Sequence, residues 1–208
     1  MPLVYQQDIN ETAKIGLWHI TESEDFFSTI VLQEKEINHP QKKLQHLAAR
    51  YLLTVLKKDI AVNQIKISTS GKPFIENHCC HFSISHCGYF AAAIIDENLN
   101  VGIDIELPNQ KISAIKNKFT NDDELFLFTK FDYNEIDILT IIWSIKESMF
   151  KWYGLGAVDF KKHLMITAAY KKNDSLIVDC VVNKSGETKL QATTGFIDGI
   201  VLTYVHEK

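Results

Sequence analysis

The chain has 208 residues, of which 46% are hydrophobic and 23% charged, and its formal net charge is −4. These values are ordinary for a globular protein, and the length allows one domain or two small ones. The negative net charge argues against a broad nucleic-acid-binding surface. The sequence has no run of eighteen apolar residues, and its N-terminus lacks the basic and apolar regions of a signal peptide. We therefore expect a cytoplasmic protein with neither nucleic acid nor membrane as a partner.

Helices and short strands alternate in the first half of the chain. Ser23 is expected to cap a short helix over Glu24–Leu32, and helical spacing of apolar residues after Pro40 predicts an amphipathic helix over Gln41–Lys58. The predicted strands of this half are Lys14–Thr21, Ile65–Ser68, an extended piece that begins at Phe74, Phe82–Ser85, Tyr89–Ile95 and Val101–Glu106.

The second half repeats this order of elements loosely. Its predicted helices are Ile112–Lys116, Asp123–Lys130 and Glu135 to about Tyr153, and its predicted strands are Leu164–Tyr170, Ser175–Val182, Thr188–Thr193 and Gly199–His206. The order predicts an α+β fold with two similar halves, each with helices packed on a small antiparallel sheet. We place the halves at residues 1–106 and 107–208, with a short join near Leu107–Asn109.

The cysteines fit a reducing compartment. They are Cys79, Cys80, Cys87 and Cys180, and no two of them form a CxxC motif. An adjacent pair such as Cys79 and Cys80 is a poor disulfide or zinc framework. We therefore expect packed thiols.

The strand Val101-Gly-Ile-Asp-Ile-Glu106 carries two carboxylates. Strand alternation places Asp104 and Glu106 on one face and the isoleucines on the other. Carboxylates so close repel each other unless they are solvated or bridged by a cation such as Mg²⁺, which usually arrives with phosphate oxygens. The alternatives are a phosphate-handling metal site and an ordinary solvated strand face.

The long helix carries a second charged cluster in Trp143-Ser-Ile-Lys-Glu-Ser-Met-Phe-Lys151. Lys146, Glu147 and Lys151 lie on neighbouring positions of one helical stripe. Taken alone, Glu147 and Lys151 are also compatible with a surface ion pair at i, i+4, which contributes only a few tenths of a kcal/mol. Together the two stretches favour phosphoryl-type chemistry.

These two stretches resemble the signatures of the 4′-phosphopantetheinyl transferases of the surfactin-synthetase (Sfp-like) type, which have the forms (V/I)G(V/I)DxE and (W/F)xxKE(S/A)xxK. Upstream, Gly71-Lys72-Pro73-Phe74 and Phe82-Ser83-Ile84-Ser85-His86 resemble the family's GKP turn and FSxSH motif. Arg50 matches its helix arginine less distinctively. The resemblance covers about residues 30–165. It implies the pseudo-dimeric fold of that family, a monomer, and transfer of phosphopantetheine from coenzyme A to a serine of an acyl or peptidyl carrier protein, with release of adenosine 3′,5′-bisphosphate.

The resemblance also implies residue roles. Asp104, Glu106 and Glu147 would bind Mg²⁺ or Mn²⁺, and Glu147 is a metal ligand, the general base, or both. Lys151 would contact the α-phosphate. Lys146 would be a supporting partner or a contact to the carrier protein. The residues implied to bind coenzyme A are Arg50, Lys72, Ser85, His86 and Lys151.

Two other functions remain open on the residues alone. A coenzyme A or nucleotide binding module without activity would be expected to lack part of the carboxylate set. A metal-dependent phosphodiesterase would use water as the nucleophile and more often has further His or Asp ligands for a second metal. Aromatic residues at Phe119, Phe126 and Phe128 either pack in the core or dock a carrier helix.

Overall fold

The computed structural model describes residues 2–31, 37–60, 62–76 and 80–207. The chain divides into two compact units, Met1–Val101 and Gly102–Lys208. In each unit helices pack against an antiparallel sheet. The α+β class predicted from the sequence is therefore confirmed. Cys79 and the predicted end of the first helix at Leu32 lie outside the described residues.

The first unit contains a four-stranded sheet and a separate two-stranded one. Its elements are β1 (Leu3–Asp8), β2 (Ala13–His19), α1 (Glu24–Ser28), α2 (Pro40–Leu56), a 3-10 turn (Val62–Gln64), β3 (Ile65–Ile67), β4 (Pro73–Ile75), β5 (His81–Cys87) and β6 (Phe90–Asp96). The larger sheet has the order β1-β2-β6-β5, and β3 pairs with β4. The sequence analysis missed β1, because half of this edge strand is polar and its pairing with β2 is not a local signal.

Helix α2 forms the core of the first unit with this sheet. Pro40 begins the helix, a position where its missing N–H costs nothing, and the His39 side chain accepts from the backbone of Lys42. The fully buried positions Leu47, Ala48, Ala49, Leu52 and Leu53 recur with helical spacing. The predicted helix over Gln41–Lys58 is thus confirmed, with its end two residues earlier. The predicted cap at Ser23 precedes α1 as expected but makes no side-chain capping hydrogen bond.

The second unit contains a five-stranded antiparallel sheet of order β7-β11-β10-β9-β8. Its elements are β7 (Gly102–Glu106), a 3-10 helix (Gln110–Lys118), α3 (Asp122–Phe128), α4 (Glu135–Tyr153), β8 (Leu164–Lys172), β9 (Ser175–Asn183), β10 (Glu187–Ile197) and β11 (Ile200–Glu207). Strand β7 pairs with β11, opposing Asp104 to Thr203 and Glu106 to Val201. The boundary predicted at residue 106 places this strand in the first half, whereas its backbone partner is the C-terminal strand.

Helix α4 is defined at both ends and buried along one side. The Asn134 side chain accepts from the backbone N–H of Asp137 at 3.0 Å, and Gly154, with a φ of 70°, ends the helix in the left-handed conformation. The positions Leu139, Ile142, Ile145 and Met149 are fully buried. This stripe packs on the sheet, mainly at β7 and β11. Among the described residues, none of the helices combines the length and the apolar character needed to cross a bilayer.

Candidate active site

Strand β7 and helix α4 approach each other very closely at Gly102. A Cβ atom built at Gly102 would lie 2.0 Å from the carbonyl oxygen of Ser148 and 2.8 Å from the backbone nitrogen of Trp152. No larger residue fits unless the strand and helix move apart. Because alternate residues of a strand share a face, Asp104 and Glu106 lie on the Gly102 face, towards α4. The glycine therefore lets the two carboxylates of the strand meet the helix.

Lys151 of α4 contacts the first of these carboxylates. Its Nζ lies 2.7 Å from Oδ1 of Asp104. Asp104 is only 3% exposed, so the interpretation of this stretch as a solvated strand face is wrong. Glu147 and Lys151 are both half-buried.

Trp143 of α4 contacts the second carboxylate. Its indole Nε1 donates a hydrogen bond of 3.0 Å to Oε1 of Glu106. The indole contacts the Phe119 ring edge-on at 5.1 Å and stacks on the Phe160 ring at 5.4 Å between centroids. The two ring contacts restrict the position of the indole. Because the indole donates to Glu106, they also restrict the orientation of that carboxylate.

The carboxyl groups of the site influence one another's ionisation. Burial, followed by the charge of Asp104, raises the pKa of Glu106 to about 7, while the Trp143 hydrogen bond and Lys151 act in the opposite direction. Burial, again followed by Asp104, raises the pKa of Glu147 to about 6 against the lowering effect of Lys151. The three acids therefore share one partly desolvated environment in which negative charges repel.

This donor set fits a magnesium ion in its chemistry. Carboxylate oxygens are ligands that Mg²⁺ prefers, and a cation would offset the repulsion that raises the pKa values of Glu106 and Glu147. However, no group of three or more His, Cys, Asp or Glu side chains is already arranged around a metal position in the part of the chain that the structure describes. Lys151 supplies the positive charge next to Asp104.

Lys146 is a buried residue and not a surface contact. It is 0% exposed, its Nζ lies 2.8 Å from Oε2 of Glu124, and it donates to the carbonyl oxygen of Phe160 at 3.1 Å. Its burial excludes the predicted alternative of a contact to a carrier protein and leaves the supporting role. Glu124 was not among the predicted residues, because an acid in the first turn of a helix is normally explained by the helix dipole.

The predicted coenzyme-binding residues other than Lys151 lie in the first unit. Ser85 and His86 are consecutive on β5, with Ser85 buried and His86 exposed. Arg50 is 9% exposed on α2, and its Nη1 lies 2.9 Å from Nδ1 of His46. Burial lowers the pKa of His46 to about 4, with Arg50 and His86 adding to the effect, so these three basic side chains form one cluster.

Two further observations concern basic residues of the first unit. Burial lowers the pKa of Lys72, in the turn before β4, to about 8. The sequence analysis did not single out His46, although its i, i+4 spacing from Arg50 was a usable signal.

The three candidate docking phenylalanines have different environments. Phe119 and Phe128 are fully buried in the core of the second unit, so the core alternative is confirmed for both. Phe126 lies on α3 and is 73% exposed. Of the three, only Phe126 is available to a partner.

Lysine ammonium groups and metal ions held by carboxylates are groups that stabilise the charge of a phosphoryl group during its transfer. Residues 100–193 match the family model of the 4′-phosphopantetheinyl transferase superfamily. This stretch contains both signatures, and the resemblance predicted from them is confirmed.

Individual relatives carry the same family name. The chain is 30% identical over 126 residues to a Haemophilus influenzae protein provisionally named a 4′-phosphopantetheinyl transferase, covering 58% of this chain and 53% of that protein. It is 30% identical over 134 residues to 4′-phosphopantetheinyl transferase gsp of Aneurinibacillus migulanus, covering 61% and 56%. It is 29% identical over 130 residues to the L-aminoadipate-semialdehyde dehydrogenase-phosphopantetheinyl transferase of Homo sapiens, covering 53% and 42%. The chain thus spans about half the length of the relatives it matches.

Proposed function

We propose that this protein transfers 4′-phosphopantetheine from coenzyme A to a serine hydroxyl of an acyl or peptidyl carrier protein, releasing adenosine 3′,5′-bisphosphate. The observation that carries the proposal is the contact of Asp104 from β7 with Lys151 from α4, beside Glu147, within the stretch that matches the superfamily. The proposal also includes a monomeric state, a cytoplasmic location, and no nucleic-acid or membrane partner.

The metal part of the proposal rests on the donor set. Asp104, Glu106 and Glu147 would hold Mg²⁺, with Mn²⁺ as the alternative ion. When bound, the ion would neutralise charge on the diphosphate of coenzyme A.

Glu147 is proposed as the general base as well as a ligand. A carboxyl group with a pKa of about 6 is largely ionised at neutral pH and yet basic enough to accept a proton in a transition state. It would take the proton of the serine hydroxyl while the serine oxygen bonds to the β-phosphorus. The bond from that phosphorus to the bridging oxygen then breaks, and the adenosine bisphosphate leaves with the electron pair.

Lys151 is proposed to stabilise the leaving group. Its ammonium lies against Asp104 and lowers the pKa values of Glu106 and Glu147, so its charge acts throughout the acidic cluster. A fixed ammonium near the α-phosphate offsets the negative charge that develops there.

The first unit is proposed to bind the coenzyme. His86 has an exposed imidazole on β5, next to Ser85. Arg50 offers a planar fork of donors suited to phosphate, and Lys72 an ammonium group. We assign all four residues to contacts with coenzyme A.

The test is an assay for modified carrier protein. The protein is incubated with coenzyme A, Mg²⁺ and an apo carrier protein, and mass spectrometry measures whether the carrier gains one phosphopantetheine group. Asp104→Ala and Glu147→Ala should abolish the transfer and keep the circular dichroism spectrum of the wild type. Wild-type rates in either variant would refute the roles of these acids.

A matched control comes from the same helix. Glu135 is an exposed acid at the start of α4 and pairs with Lys116 at 3.0 Å, away from the acidic cluster. Glu135→Ala should transfer at the wild-type rate. Release of free phosphopantetheine without carrier protein would instead indicate the phosphodiesterase, and coenzyme binding without either product the inactive binding module.

A further inference from the structure

A buried ion pair outside the proposed catalytic residues joins four segments of the second unit. Lys146 and Glu124 are 0% and 4% exposed, and their charged atoms lie 2.8 Å apart. Thr120 donates at 3.1 Å to Oε2 of Glu124, the oxygen that also contacts Lys146. The backbone N–H of Ile166 donates to the other oxygen, Oε1, at 3.0 Å. Lys146 also donates to the carbonyl oxygen of Phe160. The pair therefore ties α3, α4, the segment after α4, and β8 to one another.

Phe160 connects this ion pair to the proposed active site. Its backbone accepts from Lys146, and its ring stacks on Trp143 with 23° between the ring planes. Trp143 and Lys146 are also three positions apart on α4 and so lie on one side of the helix. The indole of Trp143 in turn donates to Glu106.

We infer that the Lys146–Glu124 pair is a positioning device, which holds Trp143 and Phe160 so that the indole orients the carboxylate of Glu106. Neither member of the pair touches the substrate in this role. Both act through Trp143.

An ion pair suits this role better than it suits stability. Apolar replacement of a buried ion pair is often neutral or stabilising, whereas removal of one partner is strongly destabilising because a buried charge is left alone. However, the hydrogen bonds that both carboxylate oxygens accept and the ammonium donates are directional, so they fix the relative positions of these segments more closely than an apolar contact does. The two residues must therefore be replaced together if position is to be separated from stability.

The test is the double variant Lys146→Met/Glu124→Leu. Its midpoint of unfolding in urea should stay close to that of the wild type. The ¹H–¹⁵N resonance of the Trp143 indole, assigned with Trp143→Phe and measured without metal, should move. In the transfer assay kcat should fall about tenfold or more, while KM for coenzyme A changes less than about threefold, because Glu106 is displaced and not removed.

The indole resonance and kcat are independent readouts. Only kcat depends on the proposed function, so a failure of this inference can be distinguished from a failure of the proposed function. If the wild type transfers nothing, the proposed function fails and the indole resonance alone decides the inference. An unchanged indole resonance in the double variant overturns it, as does an unchanged kcat in an active enzyme. If the double variant does not fold, Lys146→Met/Glu124→Gln decides in the same way, since it removes both charges and keeps the size of both side chains.

Val178→Ala is the control for general destabilisation. Val178 is fully buried on β9 in the same core. This variant should lose stability but keep the indole resonance and kcat. An equal change of the indole resonance in Val178→Ala would show that any core defect moves Trp143, and would also overturn the inference.

Discussion

Replacement of Gly102 by alanine is the sharpest test of how the site is built. The added methyl carbon would lie 2.0 Å from the carbonyl oxygen of Ser148 and 2.8 Å from the backbone nitrogen of Trp152. An ordinary contact requires about 3.5 Å, so β7 and α4 must separate by about 1.5 Å. Both obstructing atoms belong to the helix backbone, and no change of rotamer can relieve the clash.

The expected cost follows from this geometry. Overpacking of a core costs about 1–3 kcal/mol, and we expect the upper end because the obstruction is backbone. The separation would also stretch the 2.7 Å contact of Lys151 with Asp104 beyond hydrogen-bonding distance. A misplacement of about 1 Å at reacting groups can reduce turnover about a hundredfold. Gly102→Ala should therefore lose about 3 kcal/mol of stability and most of the proposed transferase activity.

Urea unfolding and the carrier-modification assay measure the two effects. Gly195→Ala is the matched control, because a Cβ atom at Gly195 of β10 would have its nearest neighbour, Oγ of Ser175, at 3.6 Å. That variant should lose less than about 1 kcal/mol. If Gly102→Ala is as stable and as active as Gly195→Ala, the close approach of strand and helix is not what places the acids.

Two further predictions concern charge. The pKa of His46 is about 4 in the folded protein and 6.5 for an ordinary histidine, so the unfolded chain binds the proton first. The free energy of unfolding should therefore fall as the pH drops from 6.5 to 4. We expect a loss of about 1 kcal/mol, after discounting for the partial exposure of His46. Urea unfolding of the wild type and His46→Gln at both pH values checks this, and an identical pH dependence would contradict it. Lys151→Ala should lower kcat at least about tenfold and change KM for coenzyme A little. An effect on KM alone would remove its proposed role at the leaving group.

The sequence by itself determined the elements whose signals are local. Helix α4 follows from its apolar spacing, and strand β10 from its alternation of polar and less polar residues. The two signatures likewise predicted the candidate acids and the resemblance to the superfamily, because motif residues lie close together in the chain. Periods of 3.6 and 2.0 residues can be recognised without knowledge of any partner.

Only the tertiary structure decided which distant residues meet. Lys151 contacts Asp104, 47 positions away, and Lys146 pairs with Glu124, 22 positions away. Strand β7 belongs to the second unit because β11 supplies its hydrogen bonds, and β1 is a strand because β2 lies beside it. Such contacts depend on how the helices pack on the sheets, and above all on the room that Gly102 leaves for α4. Local periodicity carries no information about that packing.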